Sequence, residues 1–453
     1  MIDQLRGFVV PIIVLALIGG RGPGESVVRA AIYTAAGIVI STTLSAINWS
    51  TTRWFITEDS IRLRTGVLSE NVTVVPFDRV QAIDTARGPI QRLFGVVEAQ
   101  VQTAGGGKRG EIVLKAITEA EAEELREAVR GGTTTATAQP DEEREELAWD
   151  LGMRGLLTTA ATSGSLGVLL PFVAAATQWG DDLFGRSAAE QLVPGSAGEA
   201  LRDLAIVIAA AWLLSFAGTV AAFARFRLVR DGEHLRVHRG LLELREASVP
   251  VERVHAVRVV EGPLREPFGL AQIRIDSAGY AKEGASAQTI FPLVRREHAT
   301  ELIARFLPEF AGDLDGLEPV PARAARRYIL PLALPWLVAA AVLALIVGPP
   351  GLFLAVGAMI GVALGFARYR TAAYRLDGPR VIFRGRRLAR STAVAKPARL
   401  QEVHVMANFF QRRARLATLV VGIGSGRHIG VEHMSADAAE RAFGTLGLQS
   451  LGH

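Results

Sequence analysis

The feature that most constrains this chain is a set of long apolar blocks without charge. Residues 30–49, 156–177, 204–224 and 328–347 contain no Asp, Glu, Lys or Arg. About 20 such residues are what a helix needs to cross roughly 30 Å of hydrocarbon. Two shorter blocks accompany them. Residues 352–367 reach that length only with Gly348-Pro349-Pro350-Gly351 at membrane depth, and residues 8–20 are interrupted by Pro11. Counting both predicts six spans, paired into three helical hairpins. Composition agrees: 49% of the 453 residues are apolar and 21% charged, where soluble domains carry about a quarter charged. With no cysteine in the chain, disulfide scaffolds, thiolate metal sites and cysteine nucleophiles are excluded.

Basic residues near span ends set orientation. Arg225, Arg227 and Arg230 follow the fourth span, Arg323, Arg326 and Arg327 precede the fifth, and Arg368 and Arg370 follow the sixth. Residues 348–351 are uncharged, and residues 178–203 carry more acids than bases; Arg21 and Arg29 dissent. The balance puts both termini and the long polar segments on the cytoplasmic side of the membrane. No small-residue cleavage pattern follows the first block, so it reads as an anchor rather than a removed leader.

The polar segments repeat one another. Gly66-Val67-Leu68 and Val75-Pro76-Phe77-Asp78-Arg79-Val80 correspond to Gly240-Leu241-Leu242 and Val249-Pro250-Val251-Glu252-Arg253-Val254, with the same spacing from glycine to arginine. At a common distance beyond each arginine comes Leu93-Phe94-Gly95 or Pro267-Phe268-Gly269. A third copy keeps Pro397-Ala398-Arg399 and places Leu416 where Val96 and Leu270 fall, without the Phe-Gly element. Short alternating runs bounded by Gly, Asp and Ser read as antiparallel strands. Each copy ends in a helical pattern, over residues 117–130, 295–307 and 435–446, the first opening with Thr118 and Glu121 at capping-box spacing. Repetition therefore decides the architecture.

These motifs, with Trp54-Phe55-Ile56-Thr57 after an apolar hairpin, resemble the bacterial pleckstrin-homology-like domain of the bPH2 (DUF304) group. Three such units alternating with membrane hairpins resemble the YdbT family of bacterial membrane proteins. The resemblance implies an α+β membrane protein: three transmembrane hairpins alternating with three small antiparallel β-barrel or sheet domains, each capped by a C-terminal helix. The expected division is a hairpin at 1–50, a PH-like domain at 51–130, a linker at 131–154, a hairpin at 155–224, a second domain at 225–310, a linker and third hairpin at 311–367, and a third domain at 368–453. The linker, rich in Thr and acids, is expected to be flexible. The resemblance implies no catalytic residues.

Two sets of residues invite a site. Arg79, Arg253 and Arg399, with Gly95 and Gly269, recur as framework. A guanidinium there could grip a phosphate or carboxylate, but recurrence within one chain favours a structural role. The second set is a charge excess. Residues 368–453 carry 15 Lys and Arg against 5 acids, while the whole chain is only +5. The excess concentrates in Arg384, Arg386, Arg387 and Arg390, and again in Arg412, Arg413 and Arg415. Beside an anionic leaflet each such residue is worth about 1 kcal/mol, so this set is the candidate contact for anionic lipid or an acidic partner; positive-inside bias with ordinary solvation is the plainer explanation. Gly105-Gly106-Gly107-Lys108 lacks the other elements of a phosphate loop and reads as a hairpin turn between the alternating stretches around it. Gly422-Ile423-Gly424-Ser425-Gly426 is not followed by a helix, and the eight histidines form no metal pattern.

The expected function is a non-enzymatic inner-membrane protein presenting three cytoplasmic PH-like domains to lipid surfaces, to a protein, or to both. Envelope maintenance or stress defence follows from family analogy alone. The alternative is a transporter or export accessory whose six-helix bundle is itself functional. The spans hold no ionisable residue, against ion-coupled transport, while Ser163 and Gly167, and Gly357, Gly361 and Gly365, allow close helix packing. No cofactor or metal is expected. Expected partners are membrane lipids and a membrane or cytoplasmic protein, a second bPH2 protein among the candidates; self-association is compatible with the sequence. Few aromatics (Phe383, Phe409, Phe410) accompany the arginines, so nucleic acid is not expected.

Overall fold

The computed structural model describes residues 51–66, 70–103, 112–132, 147–163, 197–277, 288–376, 378–424 and 426–450, with positions 37, 39 and 43. The expected spans at 8–20 and 30–49 lie outside the described residues except at those three positions. So do most of 156–177, the Gly105-Gly106-Gly107-Lys108 turn and residues 133–146 of the linker. Two compact units are distinguished: Met1–Val80, Ala120–Ala138 and Ser165–Leu214 in one, and Gln81–Glu119, Gln139–Gly164 and Ser215–His453 in the other.

In the first unit, β1 (Arg53–Ile56), β2 (Ser60–Thr65) and β3 (Asn71–Pro76) form an antiparallel sheet. Its alternation is the one read from the sequence: Ile61 and Val75 face each other and are buried, while Val72 and Val74 are exposed. Gly66, at φ 117°, ends β2 in a conformation closed to most side chains.

The second unit carries the other strands: β4 (Val80–Arg87), β5 (Val96–Thr103), β6 (Ile112–Thr118), β7 (Leu147–Asp150), β8 (Arg227–Asp231), β9 (His234–Arg239), β10 (Leu244–Pro250), β11 (Val254–Glu261), β12 (Leu270–Ser277), β13 (Thr289–Arg295), β14 (Glu318–Pro319), β15 (Ala373–Arg375), β16 (Val381–Arg386), β17 (Arg390–Ala395), β18 (Leu400–Met406), β19 (Leu416–Ile423) and β20 (Arg427–Ser435). The helices, in chain order, are α1 (Pro89–Leu93), α2 (Glu119–Gly132), α3 (Gly152–Thr162), α4 (Ala197–Phe223), α5 (Ala299–Phe306), α6 (Ala325–Val347), α7 (Ala355–Thr371), α8 (Phe409–Arg413) and α9 (Ala436–Ser450). Thus α2, α5 and α9 close the three copies within a few residues of the expected positions.

The sheets do not respect the repeat. One seven-stranded sheet runs β6-β5-β4-β10-β9-β8-β7 and a second runs β13-β12-β11-β17-β16-β15-β14; β18-β19-β20 stand as a third. The last three strands of one copy therefore continue, edge to edge, into the first strands of the next. The joint is short at β4 and β10, where Arg87 faces Leu244 and Thr85 faces Glu246; Asp84 Oδ1 also accepts from Ser248 N at 3.2 Å. It is long at β11 and β17, from Ala256 opposite Ala395 to Glu261 opposite Arg390. Pairing consumes edges that would otherwise be open to foreign strands. The cores follow the sheets. Ile382 and Val394 of copy three pack with Val257, Val259, Phe291 and Phe306 of copy two, and Ala256 of copy two packs with Phe383 and Leu419 of copy three.

Two strands fall where a linker was expected. Leu147–Asp150, within 131–154, is β7 and pairs with β8, Leu147 opposite Arg230. Its Trp149 stands edge-on to Phe226 and Phe291, at 5.9 and 5.0 Å between ring centroids. Glu318–Pro319, within 311–367, is β14 and pairs with β15. In chain order α3 and α4 thus fall between the neighbouring strands β7 and β8, and α6 and α7 between the neighbouring strands β14 and β15. Among the described residues three helical segments, Ala205–Phe223, Ala322–Val347 and Pro349–Thr371, are long and apolar enough to cross a membrane. The last two are antiparallel and touch backbone to backbone: a Cβ on Gly361 would lie 2.4 Å from Leu332 O, and one on Gly365 2.6 Å from Ile329 Cα. That is the close approach small residues at spacing four permit.

Candidate functional site

Each framework arginine ends a single 3-10 turn that links a copy's two groups of strands: Phe77–Arg79, Val251–Arg253 and Pro397–Arg399. Arg79 is exposed and Arg253 half-buried; burial lowers Arg253 below the usual guanidinium range, with adjacent Glu252 opposing. Arg399 reaches from copy three to the equivalent turn of copy two. Its Nη1 donates to Val254 O and, at 3.4 Å, to Val251 O, while Nη2 donates to Glu309 Oε2 at 3.1 Å. Lys396 also binds Glu309, and that hydrogen bond, outweighing burial, holds the carboxyl below its ordinary value. Through these contacts Arg399 ties copy three to copy two. Gly95 and Gly269 sit at φ 65° and 63°. In copy three the same place holds Arg415 at φ 52°, so the backbone device survives the loss of the Phe-Gly motif.

The basic excess of copy three divides in two. Arg384, Arg386 and Arg390, on β16 and β17, turn toward acids outside their own copy. Arg390 binds Glu261 through both Nε (2.9 Å) and Nη2, and Glu261 is 1% exposed. Arg296 approaches the same carboxylate at 3.4 Å. Arg386 pairs with Glu266, and Arg384 with Asp315 at 3.2 Å and with Leu314 O and Thr392 Oγ1. Burial lowers Arg384, with Asp315 opposing. For Arg390 burial acts the same way, but the hydrogen bond and charge of Glu261 outweigh it and hold the guanidinium above its usual value. Arg296, Arg384 and Arg390 border an open cleft of about 450 Å³ with Phe268, Arg295 and Asp315. A charge tally along the chain counted these arginines as surplus; the fold neutralises them with Glu261, Glu266 and Asp315, which sequence reasoning missed. Arg387 is exposed, and its carbonyl accepts from Arg368 Nε at 3.1 Å, at the end of α7.

Arg412, Arg413 and Arg415 behave differently. All three are exposed, on or just after α8. A reciprocal cap holds that helix: Asn408 Oδ1 accepts from Gln411 N at 2.8 Å, and Gln411 Oε1 accepts from Asn408 N at 2.9 Å. The buried Gln411 side chain also donates to Thr418 Oγ1 at 2.8 Å. Phe409 and Phe410 are thereby turned outward beside the arginines. The helix stands at the foot of α6: Arg327 lies over the Phe410 ring at 5.2 Å, and Arg323 Nη2 donates to Arg415 O at 3.1 Å. Among the described residues, no three His, Asp or Glu side chains gather where they could hold a metal.

Strands shared between PH-like copies, apolar helices entering from the sheets, and an equivalent 3-10 turn in each copy define a membrane-associated repeat protein. The chain belongs to the bacterial PH domain (bPH_2) family, whose model matches three times, over residues 9–133, 168–309 and 327–449. It is similar to the UPF0699 transmembrane protein YdbT of Bacillus subtilis (strain 168), with 28% identity over 407 residues, covering 85% of this chain and 82% of that relative. With three helices among the described residues long and apolar enough to cross a membrane, it is a transmembrane protein with repeated bacterial PH domains.

Proposed function

We propose that this is a non-enzymatic scaffold of a bacterial inner membrane, with six spans in three hairpins and both termini and all three PH-like copies on the cytoplasmic face. The observation that carries it is the β11–β17 ladder with its ionic seam, which joins copies two and three in one sheet beside the apolar helices. A continuous array of strands between spans suits presentation of a fixed surface, and in copies two and three two groups of strands around a shared core suit a barrel-like module. Arg323, Arg326 and Arg327 before α6, and Arg368 and Arg370 at the end of α7, support the cytoplasmic placement. With Arg384, Arg386 and Arg390 engaged inside the chain, the exposed contact for anionic headgroups or an acidic partner contracts to Arg412, Arg413 and Arg415, with Arg387 nearby. A role in envelope maintenance remains a family analogy.

Sidedness tests the placement. The chain has no cysteine, so Arg305→Cys on α5 and Arg441→Cys on α9, both exposed, each give one reactive thiol. A membrane-impermeant maleimide should label them in inside-out vesicles and not in intact protoplasts; labelling in intact protoplasts would overturn the reading.

A further inference from the structure

Large apolar side chains are exposed at one topological position in all three copies: the connection from the first to the second of the last three strands. Between β4 and β5, Leu93 and Phe94 are 81% and 72% exposed; between β11 and β12, Phe268 is 74% exposed; between β18 and β19, Phe409 and Phe410 are 64% and 59% exposed. Each connection is built on a short helical turn, and in copies one and three a glutamine caps that turn on its own backbone. The side chains are therefore held out by the fold. A core cannot explain an outward phenylalanine repeated three times, and water disfavours it by roughly the transfer free energy of an aromatic ring.

Each tip is also tied to a helix end: that of α3 in copy two, of α6 in copy three and of α4 in copy one. In copy two, Arg265 Nη2 donates to Thr159 O (3.3 Å) and Ser163 Oγ (3.0 Å), and Nε donates to Thr162 Oγ1 (3.0 Å), all at the end of α3. In copy three the ties are Arg327 over Phe410 and Arg323 to Arg415 O, at the start of α6. In copy one, Arg92 Nη2 donates to Leu241 O at 2.9 Å, and Leu241 N donates to Ala221 O of α4 at 2.8 Å. The tips of copies one and three thus stand at the ends of helices long and apolar enough to cross a membrane, and that of copy two at the end of α3. Leu242 and Leu388, in the loops beside the ends of α4 and α7, add exposed leucines.

We infer that these three tips are interfacial wedges, whose apolar side chains seat in the headgroup and upper acyl region of the bilayer that α4, α6 and α7 cross. Aromatic and aliphatic side chains flanked by arginine, held beside a span, are the composition of a membrane interface, and the arginine stems can lie along apolar surface while their heads reach phosphate. The occupant is lipid because the tips of copies one and three are tied to the ends of α4 and α6, whose apolar side chains are themselves exposed. The wedges hold the β array against the membrane, so the spans are not its only attachment. The inference rests on the array lying beside its own membrane and not on which leaflet it meets.

The test uses the full chain reconstituted in vesicles of phosphatidylcholine and phosphatidylglycerol, with one environment-sensitive fluorophore per molecule on Leu93→Cys, Phe268→Cys or Phe410→Cys. The control is Ala398→Cys, exposed beyond the other end of β18, roughly 20 Å from the tip by strand rise. Tip probes should be quenched several-fold more by brominated acyl chains than the control, and several-fold less by aqueous iodide. Iodide quenching equal to the control would overturn the inference. So would shielding from iodide without quenching by bromolipid, which would put a protein or a second copy on the tips. Because depth quenching does not distinguish leaflets, its failure and a failure of the cytoplasmic placement read out separately.

Discussion

Copy three carries two arginine clusters of similar sequence character and opposite fate. Arg384, Arg386 and Arg390 lie on strands that join a neighbouring sheet, and acids contributed from outside the copy neutralise them. Arg412, Arg413 and Arg415 lie on a capped turn at a strand connection, exposed beside two outward phenylalanines. The first cluster holds the molecule together and the second faces out of it. Charge density along a chain reports neither role, because the role is decided by which edge the strand presents and what pairs with it.

The largest effect should come from unbalancing the seam. Glu261→Ala removes the carboxylate shared by Arg390 and Arg296 and leaves guanidiniums facing each other in a partly buried site. Breaking such a pair costs about 3–5 kcal/mol, seen as a lower melting temperature of the chain in nanodiscs. Arg412→Gln in the same assay should stay within about 0.5 kcal/mol in neutral lipid, as exposed substitutions do. Equal losses would erase the distinction between the clusters.

Lipid charge should affect only the outer cluster. Anionic nanodiscs should stabilise the chain over neutral ones, and Arg412→Gln with Arg413→Gln should remove about 1 kcal/mol of that difference per residue. Arg386→Gln should leave the anionic-minus-neutral difference unchanged while lowering stability in both. A smaller effect is expected at Arg415, whose φ of 52° is costly for a residue with a Cβ. Arg415→Gly keeps the carbonyl that accepts from Arg323 and should raise stability by up to about 1 kcal/mol in neutral nanodiscs.

The smallest is a pH effect beside the outer cluster. His433 stands edge-on to Tyr328 at 4.8 Å and its Nδ1 is 2.8 Å from Gln411 Nε2. Burial holds its imidazole below the ordinary value, Glu432 opposing and Arg327 reinforcing. The unfolded chain therefore takes up this proton first, at about pH 6.5. Stability should be level with respect to this group above that pH and fall as pH drops below it, by less than about 1.4 kcal/mol per unit. His433→Asn, tolerated at the φ of 58° there, should flatten part of that slope in melts between about pH 5 and 7. His255, also lowered by burial and then by Arg399, supplies a remainder.

Much of the framework could be read in advance. The glycine-to-arginine spacing marked real turns, and Phe94-Gly95 and Phe268-Gly269 marked a left-handed position that Arg415 also adopts. The closing helices emerged because amphipathic periodicity is a local property. What escaped notice is non-local or too short to show a period. β7 has four residues after an acidic run, and β14 has two. Glu261 and Arg390 are 129 positions apart, and nothing in either neighbourhood announces the other. The tip phenylalanines were visible as a repeat marker; their meaning needed the knowledge that they point outward at the foot of a span.

Most depends on copies two and three sharing one sheet. Val260 and Ser391 face each other across β11 and β17, both half-buried, in a chain without cysteine. Val260→Cys with Ser391→Cys, oxidised mildly in native membranes, should give an intramolecular disulfide and a faster-migrating band on a non-reducing gel, absent from either single variant. Unchanged mobility would show that the two copies do not share a sheet, and a dimer-sized band would place the joint between chains.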